Sequence, residues 1–347
     1  MSQPGTTSRI ALAACWLPVG LAMLAVAIWL IWTRGSTLLN GHPAMLITTI
    51  AVGIAGVIAV FWAIGSLLVG ERYDSYVDGG DGQPRRRTPT QQRRRAQVRL
   101  ALGVPALIVC VALTAGLAWA RPFPADPVAI AAMRSSGDIG VSDRLTWFEM
   151  KKTARNAKGG LVEPTVGLVF LPGARVDPQA YAQVLRPLVE AGYLVAVVKP
   201  PFGFALPNSS QPDAVIENHP EIGHWAVGGH SLGGVAASSY ADSHPVSGLL
   251  LYASYPAGKL DRTDLIVTSI SGSEDGLATP EKIETSKAKL PESTTYVVVD
   301  GGIHAFFGDY GSQPGDGTPT ISRADAQQQI EQASAALLAS LVPKPKK

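Results

Sequence analysis

The chain has 347 residues, 46% of them hydrophobic and 16% charged, with 29 Lys and Arg against 27 Asp and Glu for a net charge of +2. That balance excludes a nucleic-acid binder driven by overall charge, and the apolar excess over an ordinary soluble protein calls for segments in lipid. The only two cysteines, Cys15 and Cys110, fall inside long apolar runs, which excludes a disulfide framework and a thiolate metal cluster.

Residues 10–33, 44–70 and 100–120 carry no charged side chain. A hydrocarbon core about 30 Å thick needs about 20 such residues per helix, so all three runs are expected to be spans. Trp29, Trp32, Trp62 and Trp119 fall near the run ends, where an amphipathic ring suits the interface. Between the second and third runs, residues 71–99 form a polar loop rich in arginine, with Arg85, Arg86, Arg87, Arg93, Arg94, Arg95 and Arg99 near its end. Flanked by spans, this run reads as a positive-inside signal rather than a nucleic-acid contact. The expectation is a membrane region over 1–121, a cytoplasmic loop 71–99, and everything after Arg121 outside the cytoplasm. The third run also has a basic start, an apolar middle and an Ala118-Trp119-Ala120 end, as an internal signal sequence does. Retention as an anchor and cleavage after Ala120 both stay open, and both deliver the remaining chain to the same side.

A connecting segment over 122–164 is expected to hold a helix near 126–135 and a strand near 145–152. From 165 to 342 the pattern becomes regular. Apolar, β-rich runs at 166–171, 193–198, 224–229, 248–254, 265–271 and 294–301 are interleaved with helix-competent stretches at 178–192, 232–244, 279–290 and 322–342. Short strands that are apolar throughout are strands buried on both faces, so the domain is expected to be α/β, with a mostly parallel open sheet covered by helices. In such sheets ligands bind beyond the carboxyl ends of the strands, which directs attention to the loops there.

Four of those loops carry candidate chemistry. After 166–171, Pro172 and Gly173 form a side-chain-poor turn where a backbone N–H of Gly173 or Ala174 can face a reacting oxygen; Asp177 and Pro178 then start a helix. After 224–229, Gly229-His230-Ser231-Leu232-Gly233 fits G-x-S-x-G. The string alone is weakly specific, but a strand ends where it begins and a helix starts where it ends, as a nucleophile elbow requires. Ser231 is therefore the candidate nucleophile, and His230 is read as a packing or hydrogen-bonding residue. After 265–271 come Glu274 and Asp275; the shorter Asp275, beside Gly276, is the favoured orienting acid. After 294–301, His304 is the only histidine downstream of Asp275 and hence the candidate base, with Asp309 as a reserve acid.

Taken together, GGHSLGG, GSEDG and GGIHAFFGDYG resemble the α/β-hydrolase superfamily, and specifically its compact fold-5 branch related to dienelactone hydrolases. LPGARVDPQAYA and PGDGTPTISRADAQ are similar to that branch too, over residues 165–342. The resemblance implies Ser231 as nucleophile, Asp275 as orienting acid, His304 as base, and an oxyanion hole from the N–H of Leu232 with one near Gly173 or Ala174. PGA in place of the commoner PGG leaves that second donor open. No lid domain is expected, because residues 199–223 have room for one loop and a short helix. The reaction implied is acyl transfer on a small ester-like substrate without metal or organic cofactor, by an esterase, thioesterase or lactonase, in a multi-pass protein of the cell membrane whose other partner is the lipid bilayer, with no nucleic acid. The alternative is a membrane-tethered binding or scaffold protein with a silent hydrolase-like domain.

Overall fold

Residues 4–78, 83–153, 163–206 and 210–342 are described by the computed structural model. Parts of the expected loop 71–99 (residues 79–82) and of the connecting segment 122–164 (residues 154–162) lie outside the described residues. The chain divides into two units, Met1–Gly35 with Ala44–Arg121, and Ser36–Pro43 with Pro122–Lys347.

The first unit is built from most of α1 (Pro4–Asn40) and α2 (Pro43–Ser75), a short antiparallel pair β1 (Tyr76–Asp78) and β2 (Pro84–Arg86), and α3 (Pro89–Trp119). Its three long helices contain stretches, Ser8–Asn40, Pro43–Leu68 and Pro89–Trp119, long and apolar enough to cross a membrane. Large apolar side chains such as Trp32, Leu68 and Leu102 point outward, as lipid-facing residues do. Small residues let the helices approach. A methyl group on Gly56 would press on the Gly20 carbonyl at 2.9 Å, and one on Gly103 would meet Leu12 at 2.6 Å. The third helix begins eleven residues before the span expected at 100, at Pro89. Thr88 accepts from the Gln91 N–H while the Gln91 side chain accepts from the Thr88 N–H, a reciprocal cap that starts the helix ahead of the arginines. Arg93, Arg94, Arg95 and Arg99 therefore sit on helix rather than in a loop.

In the second unit the sheet runs over β3 (Ile139–Asp143), β4 (Trp147–Lys152), β5 (Val166–Leu171), β6 (Leu194–Val198), β7 (His224–His230), β8 (Gly248–Tyr252), β9 (Ile266–Gly272) and β10 (Thr295–Val299). Its spatial order is β10-β9-β8-β7-β5-β6-β4-β3. The six strands from β10 to β6 are parallel, and β4 and β3 add an antiparallel edge. Helices α4 (Pro127–Ala132), α5 (Ala182–Glu190), α6 (Gln211–Glu217), α7 (Leu232–Ser243), α8 (Pro280–Ser286) and α9 (Arg323–Leu341) complete the fold.

Every residue of β5, β6 and β8 is buried, as the unbroken apolar runs predict. Period-two alternation divides them between two layers. Leu168, Phe170, Val195 and Val197 pack with residues of α4, α5 and α9, while Val169, Leu171, Leu194 and Ala196 pack with residues of α6 and α7. Between β6 and β7 the described residues hold a 3-10 turn (Pro201–Gly203) and α6. The strand order reverses its direction of growth around β5 and β7, whose carboxyl ends therefore flank a crevice.

Candidate active site

Ser231 stands between the end of β7 and the start of α7 with φ 53 and ψ −124, in the positive-φ region that L-residues rarely adopt. Its N–H donates to the Tyr252 carbonyl on β8 at 3.0 Å, and its own carbonyl accepts from Gly234 N–H (3.0 Å) and the Ser254 hydroxyl (2.6 Å). Backbone in this region costs about 1–3 kcal/mol and persists only where its surroundings enforce it. Gly229 and Gly233 are obligatory here. A methyl group on Gly233 would overlap the Leu171 carbonyl, and one on Gly229 would overlap the Gly233 backbone across the turn. The turn is the strained elbow that G-x-S-x-G predicts.

Asp275 follows β9 and is almost fully buried. Its Oδ1 accepts from the N–H groups of Leu277 (2.8 Å) and Ala278 (2.7 Å), and its Oδ2 lies 2.9 Å from His304 Nδ1. Glu274 instead points outward and accepts from the Ser273 hydroxyl. His304 opens a short 3-10 turn after β10 and is 1% exposed. Its Nε2 is buried with no hydrogen-bond partner among the described residues, and no hydrogen bond joins it to the Ser231 hydroxyl. Asp309 is elsewhere. It accepts from Gln327 at 3.2 Å and pairs with Arg323, and burial raises its carboxyl above the ordinary value.

Two residues that sequence reasoning passed over hold this arrangement. Asp316 accepts from the N–H of His304 (3.0 Å) and Gly317 (2.8 Å) through Oδ1, and from Ala305 N–H (2.8 Å) through Oδ2. It thereby clamps the turn that carries His304. The only signal for it was an acid between two glycines in QPGDG, which reads equally well as an ordinary turn. Tyr181, fully buried, accepts the Gly173 N–H at 2.9 Å and lies 2.8 Å from His230 Nδ1. Nothing in the sequence links positions 173, 181 and 230.

His230 is fully buried. Its ring centroid is 4.4 Å from that of His304 and it stacks on Phe307. Burial, followed by the charge of His304, pushes its imidazole well below the ordinary 6.5, so it is neutral at physiological pH. A neutral ring accepting at Nδ1 lets the Tyr181 hydroxyl donate to it while accepting from Gly173, which satisfies the hydroxyl, the Gly173 N–H and Nδ1, while His230 Nε2 is buried with no hydrogen-bond partner among the described residues.

The Gly173 hydrogen bond separates the two candidates for the second oxyanion donor. Gly173 N–H is engaged by Tyr181, whereas the N–H groups of Ala174 and Leu232 have no acceptor among the described residues. Arg175, with φ 62, donates its N–H to the Gly203 carbonyl at 2.8 Å and anchors the far side of the same turn. Among the described residues no group of three or more His, Cys, Asp or Glu is placed to hold a metal ion.

Parallel sheet, elbow at the end of β7, acid after β9 and histidine after β10 define an α/β-hydrolase fold. Residues 167–329 match the model of the alpha/beta hydrolase family. Among solved structures, a protein of the alpha/beta hydrolase superfamily from Xanthomonas campestris pv. campestris is similar, with 18% sequence identity and a TM-score of 0.38, over 50% of this chain and 99% of that one. No curated protein matches the chain.

Proposed function

We propose that the protein is a membrane-anchored serine hydrolase that cleaves an ester-like bond through an acyl-enzyme. The observation that carries this reading is the Asp275–His304 pair at 2.9 Å, buried, with the strained Ser231 elbow at the carboxyl end of β7 in the same sheet. His304 Nε2 takes the Ser231 proton, Ser231 Oγ attacks the substrate carbonyl, and the N–H groups of Leu232 and Ala174 hold the oxyanion. His304 then returns the proton to the leaving group. Water, activated by the same base, releases the acyl group and restores the serine. Asp275 keeps the imidazole in the tautomer with its acceptor nitrogen at Nε2 and stabilises the charged ring. The open hydrogen bond between Ser231 and His304 is compatible with this role, because catalytic hydrogen bonds often close only around substrate.

The reaction class is tested with a fluorophosphonate probe on the full-length protein. Wild type is expected to label at Ser231, and Ser231→Ala to stay unlabelled; an unlabelled wild type speaks for the other reading, a binding or scaffold protein with a silent domain. The isolated His304 Nε2 is the observation that favours that second reading. A panel of short esters, thioesters and lactones then assigns the bond cleaved.

The three apolar helices and the arginine-rich stretch leading into and beginning the third support a multi-pass protein with its hydrolase domain outside the cytoplasm. Protease shaving of intact cells is expected to digest the hydrolase domain and to spare residues 71–99. Intact mass of the purified protein distinguishes an anchored chain from one cleaved after Ala120.

A further inference from the structure

Two cavities meet on one face of α3. The first, about 610 Å³, is lined by Arg87, Arg94, Arg95 and Arg99 together with Val98 and Leu102. Residues 91, 94, 95, 98 and 102 recur at helical spacing and so share a face. The second, about 470 Å³, is an apolar slot with walls from all three long helices, among them Trp16 of α1, Ala59 and Trp62 of α2, and Gly103 of α3. Arg99 and Leu102 line both, so the slot opens directly onto the guanidinium cluster. No Asp or Glu occurs between residues 83 and 102.

We propose that this composite cavity is a binding site for one anionic glycerophospholipid, with an acyl chain in the slot and the phosphate on the arginines. Any apolar helix face attracts hydrocarbon, but this one ends in planar cationic forks that match a phosphate in two-pronged geometry. A zwitterionic headgroup would bring a cation into the same cluster, so the charge selects against it. A soluble anion would use the arginines and leave the slot empty. Occupancy would also complete the seam where Gly103 brings α3 against Leu12 of α1.

The inference rests on the reading of the three helices as spans, and one preparation tests both. Full-length protein is extracted in mild detergent from vesicles containing equal amounts of phosphatidylglycerol and phosphatidylcholine, and weighed intact by native mass spectrometry. The expected result is one retained phosphatidylglycerol, favoured over phosphatidylcholine about tenfold or more. The preference is lost in Arg94→Gln/Arg95→Gln/Arg99→Gln and in Leu102→Glu, which places a carboxylate where both cavities meet, with helical content by circular dichroism unchanged. Arg85→Gln/Arg86→Gln, outside both cavities, keeps it. Equal retention of the two lipids, a preference indifferent to the first two variants, or displacement by millimolar inorganic phosphate overturns the site while leaving the spans standing. Recovery of the protein in the soluble fraction overturns both.

Discussion

The Tyr181 hydroxyl bridges Gly173 and His230, 2.9 Å from the nitrogen of one and 2.8 Å from Nδ1 of the other. One buried phenol thus ties the turn after β5 to the residue immediately before Ser231. Tyr181→Phe leaves the Gly173 N–H and His230 Nδ1 buried without partners, at a cost of about 1–3 kcal/mol for such a group. The melting temperature is expected to fall by roughly 2–4 °C per kcal/mol lost. Because the Ala174 N–H is positioned by the same turn, kcat is expected to fall more than KM rises. An unchanged kcat in a folded variant removes Tyr181 from the positioning role.

Asp316 is expected to behave as a positioning residue for His304. Asp316→Ala removes the acceptor for three backbone N–H groups at 2.8–3.0 Å, and the turn carrying His304, the proposed base, loses its clamp. Fluorophosphonate labelling is expected to slow by about 10–100-fold, the range typical of a misplaced catalytic group. Asp316→Asn, which keeps one carbonyl acceptor, is expected to recover part of the rate. Labelling of Asp316→Ala at the wild-type rate would sink the idea.

Ser231→Gly separates function from stability. The substitution removes the proposed nucleophile, and it also relieves a φ of 53 that glycine adopts freely. Labelling is expected to vanish while the folded state gains about 1–2 kcal/mol, read as a higher urea midpoint at unchanged slope. A midpoint equal to or below that of wild type would mean that the elbow stores no strain.

His230 predicts an acid-labile fold. Its imidazole is depressed in the folded state and returns to its ordinary 6.5 on unfolding, so the unfolded chain binds the extra proton at acid pH. The stability it contributes is fully present above about pH 6.5 and falls as the pH drops below that, by up to about 1.4 kcal/mol per pH unit for one proton. Urea midpoints measured from pH 5 to pH 8 should show this slope in wild type and a shallower one in His230→Asn. Parallel curves for the two proteins would exclude His230 as the source.

The parts of the fold legible in the sequence are those written in contiguous runs. Continuous apolar segments marked β5 to β9 to within about two residues, because strands buried on both faces are mostly apolar along their whole length. The edge strand β3 escaped, since Ile139–Asp143 is half exposed and reads as a polar turn. The start of α3 escaped for the opposite reason, as arginines that suggest a solvated loop are also good helix formers behind a strong cap. At the candidate site, Ser231, Asp275 and His304 could each be found at a strand end in chain order. The choice between Gly173 and Ala174, and the roles of Asp316 and Tyr181, depend on hydrogen bonds between residues 8 to 49 positions apart, which no local pattern encodes.

Asp275 spends one oxygen on the amides of its own turn and the other on His304. Such a carboxylate cannot swing aside without breaking three bonds at once, so it acts as a stationary post. Any gate between the resting arrangement and a reactive one must then lie in the rotation of the Ser231 side chain or in a tilt of the His304 ring. In the proposed reaction, the substrate itself becomes the trigger that brings the last hydrogen bond into register.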